Sequence, residues 1–571
     1  MSKKFIPDWT EKAPEPYSYR SIFKWGDPHS FKHPNPKLYQ ELKTVFNLDD
    51  SYFAKKHSEG RNTVAYKKPV RLTKKQLQDI ADIAGYENIS TTQFDRLKFA
   101  TGKTIEEAMK LRKGIVERVA DCVVHPRSVD DVEKLIQYCH RHKIPVYVYG
   151  GGSSVNFGLR TAKGGITLVL STHMNNILHV NEKNQTVTVQ AGIQGPALEE
   201  ALNNAKKHFG TKYNYTCGHF PQSFEYSSIG GWIVTLGSGQ SSSYYGDAYD
   251  LVISMKWVTP AGTFTTRDYA ATATGPKIND IMKGSEGTFG VLVEVTWKIY
   301  RYMPQNRRRF GFIFKTFQDA INASREISQG EFGMPAVFRV SDEEETHIGL
   351  KLYGIDGTIL DKLMQLRGFK PMQRCLFISS AEGEKYFTKN IKRQVKKICK
   401  KYGGMYITGL PTLMWEPGRY KDPYIREDLH DYGILIDTLE TSVKWDNLHD
   451  VHKAVRQFIK NRPQTVCMTH ASHFYPQGTN LYFIYIMKTD DMNEYITFQD
   501  GIIDSIAKSG GSLSHHHGVG RMLAPWMEEH IGKEQMAVLR AIKKHFDPNA
   551  IMNPGGQLGL DLKGKDWRSI K

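Results

Sequence analysis

Three glycine-rich segments are the places where this sequence could hold an anion. Gly150-Gly151-Gly152-Ser153-Ser154 follows directly on Pro145-Val146-Tyr147-Val148-Tyr149, which reads as a strand. Consecutive glycines leave backbone N–H groups free to converge on a phosphate, and the missing Cβ atoms let it come close. The spacing is neither G-x-G-x-x-G nor a Walker loop, and taken alone the run fits a tight turn equally well. The second segment runs from Pro221-Gln222-Ser223 through Ser227-Ser228-Ile229-Gly230-Gly231-Trp232 to Thr235-Leu236-Gly237-Ser238-Gly239. So many small residues cost backbone entropy, which suits a flat ligand laid against the main chain. A flexible loop is the plainer alternative, although Ile229, Trp232, Ile233 and Leu236 argue that the segment is packed. The third is Gly284-Ser285-Glu286-Gly287-Thr288-Phe289-Gly290, at the entrance of a strand from Val291 to Ile299. Together the three favour a large phosphate-bearing cofactor.

The elements that position them follow from periodicity. Residues 1 to about 60 show no clear period and read as an extended arm on the body, followed by helical patterns around Leu77–Ala84 and Ile105–Leu111. Cys122-Val123-Val124 reads as a strand, and Ser128 with Asp131 has the spacing of a capping box that opens a helix. Further strands are expected at 166–170, 185–190 and 251–258, with a helix at about 197–208. Mixed short strands and helices indicate an α+β fold. The basic stretch Arg301–Arg309 marks a boundary. The chain divides into a helical N-terminal region (1–117), a cofactor domain (118–303), an α+β cap domain (304–505) and a C-terminal segment (506–571).

Composition narrows the class. Of 571 residues 40% are apolar and 24% charged, and 77 Lys and Arg against 60 Asp and Glu leave a net charge of +17. That excess favours an anionic partner such as a phosphate compound or a membrane surface. Nucleic acid is not expected, since no zinc-finger, basic-zipper or RNA-recognition signature accompanies the charge. No apolar run of about 18 residues occurs, so no spanning helix is expected. The six cysteines are scattered without C-x-x-C or zinc spacing, which points to a reducing compartment and no cysteine metal site. Neither a secretory signal at Met1–Trp9 nor a peroxisomal address in Ser569-Ile570-Lys571 is readable.

The ordered set of Gly150–Ser154, Ile229-Gly230-Gly231-Trp232, Tyr245-Gly246 with Asp250-Leu251, and Gly284–Thr288 resembles the FAD-binding domain of the vanillyl-alcohol-oxidase superfamily. Within it, Ser512-Leu513-Ser514-His515-His516-His517-Gly518-Val519-Gly520 resembles the alkyldihydroxyacetonephosphate synthases (alkylglycerone-phosphate synthases), over residues 92 to about 555. The resemblance implies a two-subdomain FAD domain with an α+β cap and noncovalent FAD. It also implies an ether-lipid reaction without net oxidation. The acyl chain of acyl-dihydroxyacetone phosphate is exchanged for a fatty alcohol, through a bond between flavin N5 and the substrate's C1.

Site residues carry over one at a time. For FAD the resemblance implies Val148, Tyr149, Gly150, Gly151, Gly152, Ser153 and Ser154, and also His219. It adds Gln222, Ser223, Phe224, Glu225, Tyr226, Ser227 and Ser228, then Thr235, Leu236, Gly237 and Ser238. Glu286, Gly287, Thr288, Phe289, Gly290, Val291 and Leu292 complete the set. Tyr482 matches the acid/base tyrosine, a role that asks for a phenol lowered by nearby cations; the bland alternative is a hydrogen-bonded strand tyrosine. Arg426 matches the substrate arginine, against a surface ion pair with Glu427 or Asp428. Arg339 matches an arginine on a mobile loop. His515, His516 and His517 match the histidine triplet; adjacent imidazoles diverge, so no metal is expected there. Ser228 replaces a threonine of the mammalian enzymes, Leu236-Gly237-Ser238 an Arg-Ala-Ser, and Gln240–Ser243 a more basic stretch.

Two other readings compete. A D-2-hydroxy-acid dehydrogenase would carry a histidine where Tyr482 stands and a glutamate where His516 stands, and losing both removes much of its metal site. An inactive FAD-containing lipid-binding protein, or a covalently flavinylated oxidase, is the remaining alternative. The resemblance further implies a homodimer, a peroxisomal location and a peripheral membrane surface. The basic amphipathic helix around Ile391, Val395 and Ile398 could dock on anionic headgroups, although the plainer reading of a solvated helix over the cap carries more weight.

Overall fold

In the computed structural model residues 5–561 are described, and the terminal Ser569–Lys571 tripeptide lies outside them. The glycine segments are held by two sheets that share one core. The first has the order Ile89–Ser90, Cys122–Val124, Ile166–Val169, Val146–Tyr149, its last three strands being parallel. Parallel pairing needs a crossover, and the helix Val129–His142 supplies it. The Ser128 side chain caps that helix by accepting the Asp131 N–H, and Val132, Leu135, Ile136 and Cys139 are buried. The second sheet is antiparallel, in the order Ile177–Asn181, Thr186–Gln190, Val291–Lys298, Val252–Thr259, Gly262–Thr265.

A seven-stranded antiparallel sheet forms the cap. Its order is Met405–Tyr406, Arg308–Phe314, Cys375–Ala381, Val337–Ser341, Val466–Tyr475, Gly478–Lys488, Ile434–Lys444. Side chains alternate across it. Leu481, Phe483, Tyr485 and Met487 face a core shared with the helices Phe317–Ser328, Lys385–Lys401, Leu448–Asn461 and Met492–Lys508. Tyr482, Ile484 and Ile486 line a cavity on the other face. Residues 506–561 return to the first sheet, where Met552 bridges Val146.

Several elements differ from expectation. The N-terminal arm carries a helix, Pro36–Phe46, started by Asn35, which accepts the Lys37 and Leu38 N–H groups, with proline at the first turn. Leu38, Tyr39, Leu42 and Phe46 are its buried stripe. The helix expected at 197–208 is broken at Asn204 into Gly195–Asn203 and Ala205–Phe209. The serine- and glycine-rich stretch up to 250 contains three short helices, Ile229–Val234, Ser242–Tyr245 and Ala248–Leu251. Arg339 sits within a strand rather than on a loop, because residues 337–341 pair on both sides with the strands at 375–381 and 466–475.

Candidate functional site

The strand Val146–Tyr149 delivers the glycine loop to the start of the helix Ile229–Val234, whose N-cap Ser228 accepts the Gly231 N–H. The two segments touch so closely that a Cβ on Gly151 would lie 1.9 Å from the Tyr226 carbonyl oxygen, and Gly152 has φ +78°. Only glycine fits both positions. A cavity of about 520 Å³ starts here. Val148, Gly150–Ser154, Gln222, Ser223, Ser227, Ser228, Thr235, Gly237, Ser238, Glu286, Gly287, Gly290 and Leu292 line it.

Other expected cofactor residues support this wall from behind. Tyr149 packs edge-on against Phe99. Phe224 stacks on Tyr420 at 5.3 Å, and Phe289 and Val291 are buried in the core. Glu225 accepts from the Tyr424 hydroxyl at 3.2 Å, Thr288 is buried with its hydroxyl on the Ser285 carbonyl, and Leu236 is 40% exposed. His219 is enclosed by Trp232 and Trp297, 4.7 and 5.7 Å away, and neither ring nitrogen has a partner. Burial pushes it down to about 3, so it is neutral.

Past the cradle the cavity meets polar side chains of the cap sheet. The Tyr482 hydroxyl donates to Thr438 Oγ1 at 3.1 Å. Its ring stacks on His470 at 4.9 Å and on His516 at 5.8 Å, with His517 edge-on at 5.5 Å. The phenol is not lowered as expected: burial pushes it up to about 12, and Glu440 and Asp437 add to the rise. At neutral pH Tyr482 is therefore a proton donor. His470 Nδ1 lies 2.9 Å from Glu345 Oε1, which also accepts from Arg339 Nη2 at 2.6 Å. Burial opposes the Glu345 charge, but His470 and Arg339 outweigh it and hold the carboxyl at about 2.

The histidine triplet hangs on two buried glutamates. Glu440 accepts the N–H groups of His515, His516 and His517, the Ser514 hydroxyl and the Asn480 amide, all between 2.6 and 3.1 Å. Burial would raise its pKa, but His517, His515 and these donors leave it lowered. At the far end Glu286 accepts the Val519 and Gly520 N–H groups at 2.6 and 2.8 Å and the Gln557 amide; burial raises it to about 7. His516 and His517 line the cavity, and burial pushes both down. His515 turns instead to the Tyr475 hydroxyl, 2.7 Å from its Nε2. Among the described residues Glu440, His515 and His516 have ligand-type atoms within 4.8 Å of one another. Both Glu440 oxygens are already taken by N–H and O–H donors, so this group is built as a brace for the loop.

Arg426 lies on the helix Ile425–Asp431, lines the cavity, and donates from Nη2 to the Lys103 carbonyl at 3.0 Å. It makes no pair with Glu427 or Asp428, because those carboxylates hold the N-terminal arm. Glu427 accepts the Trp25 N–H at 2.9 Å, and Asp428 accepts the Thr10 N–H at 3.0 Å. Asp431 takes the fully buried Arg20 at 2.8 Å and also Arg112.

The far end of the cavity is apolar. Leu38 and Leu42 of the arm, Ile348, Ile436, Ile484 and Ile486 line it. It reaches Leu360, Leu410 and Met414, which are themselves exposed, beside Ile359 and Leu366 at 79% and 83% exposure. By contrast the basic helix Lys385–Lys401 buries Ile391, Val395 and Ile398 in the cap core, so its apolar stripe has nothing to offer a membrane.

His470, His473, Glu345, Glu440 and Trp25 are site residues that sequence reasoning passed over. The signal for His470 was its alternation with Met468 and Ser472 in a strand, which puts all three on the cavity face.

Two family models cover most of the chain: "FAD binding domain" at residues 120–267 and "FAD linked oxidases, C-terminal domain" at 303–556. With the glycine cradle they establish FAD as the cofactor. An alkyldihydroxyacetonephosphate synthase from Dictyostelium discoideum is 33% identical, over 82% of this chain and 78% of its own length. One from Caenorhabditis elegans is 30% identical over 82% of each chain. A solved alkyldihydroxyacetonephosphate synthase structure, 28% identical, superposes with a TM-score of 0.80 over 94% of this chain and 99% of its own. A 4-ethylphenol oxidase from Gulosibacter chungangensis, 14% identical with a TM-score of 0.64 over 86% of this chain and 98% of its own, shares the fold.

Proposed function

The chain belongs to the alkyldihydroxyacetonephosphate synthase family of FAD enzymes, and from that premise we propose that it replaces the acyl chain of acyl-dihydroxyacetone phosphate by a fatty alcohol. The observation that carries this reading is the course of the cavity. It runs from a phosphate cradle, past Tyr482, His516 and His517, into an apolar end that opens among exposed leucines.

The bond between C1 and the acyl oxygen breaks, and the fatty acid leaves with that oxygen. The alcohol oxygen bonds to C1, and its proton, taken up at His516 or His517, replaces the one that Tyr482 gives to the leaving group. When bound, FAD supplies an electron-poor ring, held by residues 150–154, 227–238 and 286–290. Arg426 grips the phosphate as a fixed cation. Tyr482, kept protonated by burial, hands its proton to a developing oxyanion. Neutral His516 and His517 accept a proton from the entering alcohol. The apolar end takes one chain at a time, each buried CH₂ contributing about 0.8 kcal/mol.

Such substrates reside in membranes. Ile359, Leu363, Leu366 and Leu413 are exposed on the same helices that give the cavity Leu360, Met364, Leu410 and Met414, and Lys392 and Lys396 of the basic helix lie over Tyr406, next in sequence to the cavity-lining Ile407. Apolar contact rimmed by cations suits an anionic bilayer surface.

The test is to incubate the holoenzyme with acyl-dihydroxyacetone phosphate and ¹⁸O-labelled hexadecanol without an electron acceptor. Ether product that retains the label, matched by released fatty acid, is the expected outcome. Product formed only when an acceptor is added would refute the reading.

A further inference from the structure

The helix that presents Arg426 to the cavity also clamps the arm, and at the clamp the arm enters the site. Trp25 is 6% exposed, lines the cavity, and packs its ring against the Arg426 guanidinium, 5.6 Å from the ring centre. Its other neighbour is Tyr226, edge-on at 5.4 Å. The indole N–H of Trp25 and the hydroxyl of Tyr226 are both buried, and neither has a hydrogen-bond partner in the protein. A buried polar group left unpaired is costly, and here two occur on neighbouring rings, one of them in contact with the Arg426 guanidinium, which marks a place built for a ligand.

The ring is firmly set. Its main-chain N–H is held by Glu427, and Gly26 turns the chain at φ +58°, where a Cβ would lie 2.0 Å from the Tyr424 hydroxyl oxygen. The buried Lys103 ammonium, bonded to the carbonyls of Ile22 and Lys24 at 2.5 and 2.8 Å, fixes the preceding turn and adds positive charge.

We propose that Trp25 Nε1–H, Tyr226 O–H and the Arg426 guanidinium form a subsite for a phosphoryl anion, completed by the N-terminal arm. Three donors and one full positive charge suit a phosphate oxygen cluster. Two sources are within reach. The Tyr226 carbonyl lies against Gly151 of the cradle, which would bring the FAD phosphates. Arg426 lines the cavity, which would bring the substrate's phosphate monoester; this second source rests on the function proposed above.

Tyr226→Phe removes one donor and keeps the ring, whereas Trp25→Phe removes the indole N–H together with the five-membered ring that carries it. In the holoenzyme, binding of inorganic phosphate and of dihydroxyacetone phosphate is followed through the flavin absorbance. FAD affinity is measured separately by release on dialysis. Each variant is expected to weaken one of the two about tenfold, Tyr226→Phe at an unchanged thermal midpoint and Trp25→Phe at a lowered one, because it leaves a gap at a buried position. Weaker phosphate binding identifies the substrate headgroup, and weaker FAD retention identifies the cofactor. Values within twofold of wild type in both measurements overturn the proposal. Should a variant fold poorly, the wild-type protein labelled with ¹⁵N-tryptophan decides. The Trp25 indole resonance must shift when phosphate is added, or when FAD is restored to apoprotein, and constancy in both refutes the subsite. None of these readouts requires turnover, so failure of the exchange reaction and failure of this inference are separable.

Discussion

Glu440 lies beneath His515, accepting its main-chain N–H at 2.8 Å on one carboxylate oxygen and at 3.0 Å on the other. The same carboxylate takes the next two amides, so one fixed negative charge sets the course of the backbone that carries His516 and His517.

Glu440→Gln keeps the shape but turns one oxygen into a donor facing an N–H. Losing a hydrogen bond to a charged group costs about 2 kcal/mol, or roughly 30-fold in rate if it shifts the imidazoles. We predict a fall of that order in kcat with KM for acyl-dihydroxyacetone phosphate little changed, since Arg426 is untouched. A kcat within threefold of wild type would show that the loop does not depend on this charge.

Asp431 is fully buried between Arg20 and Arg112. Asp431→Asn leaves two buried guanidinium groups without their counter-charge, and a loss of about 3–5 kcal/mol in denaturant unfolding is expected. The sign with pH is fixed. Burial would raise Asp431, but Arg112 and Arg20 outweigh it and lower it. Its contribution is therefore complete above the unfolded carboxylate value near about 3.9 and disappears as pH falls through the lower folded value. Wild type and variant should converge in stability under strong acid; an equal gap at every pH would contradict this.

Tyr482→Phe should retain full FAD absorbance and lose turnover by about 10²–10⁴-fold. Because burial holds the phenol up to about 12, wild-type kcat should show no rise between pH 7 and 9 that vanishes in the variant. A rise of that kind would make ionised Tyr482 the working form.

Replacing Ile359, Leu363 and Leu366 with serine removes exposed apolar surface at the cavity mouth. Co-sedimentation with anionic phospholipid vesicles is expected to fall at least tenfold, since one inserted leucine alone contributes about 1.5–3 kcal/mol. Lys392→Glu should weaken binding only at low salt. Unchanged sedimentation of the triple variant would move the membrane contact elsewhere.

The cradle was legible because glycine does what no other residue can: Gly152 needs its positive φ, and Gly151 its missing Cβ. In the cap Tyr482, Arg426, His516 and His517 were named through the family resemblance, but their partners were not legible, because a polar residue inside a strand carries no local sign of its partner. His470 meets Tyr482 through antiparallel register, and Glu440 meets the triplet 75 residues away. The basic helix left two readings open because a stripe of Ile391 and Val395 looks the same whether it faces lipid or a sheet, and the plainer one, a helix over the cap, holds. The helix Pro36–Phe46 was missed, although Leu38, Leu42 and Phe46 carry its buried stripe. Its opening proline belongs to the first turn, where the missing N–H costs nothing.

The clamp between Arg20 and Asp431 also dictates an order of events during synthesis. The two residues are 411 positions apart, so at about 5–20 residues per second the arm leaves the ribosome roughly 20–80 s before its acceptor helix exists. Through that interval Arg20 lacks its counter-charge and Trp25 lacks the Glu427 carboxylate that holds its N–H. The segment that lines the apolar end of the cavity therefore reaches its final contacts only after residue 431, and the cap strands that follow it, have been made.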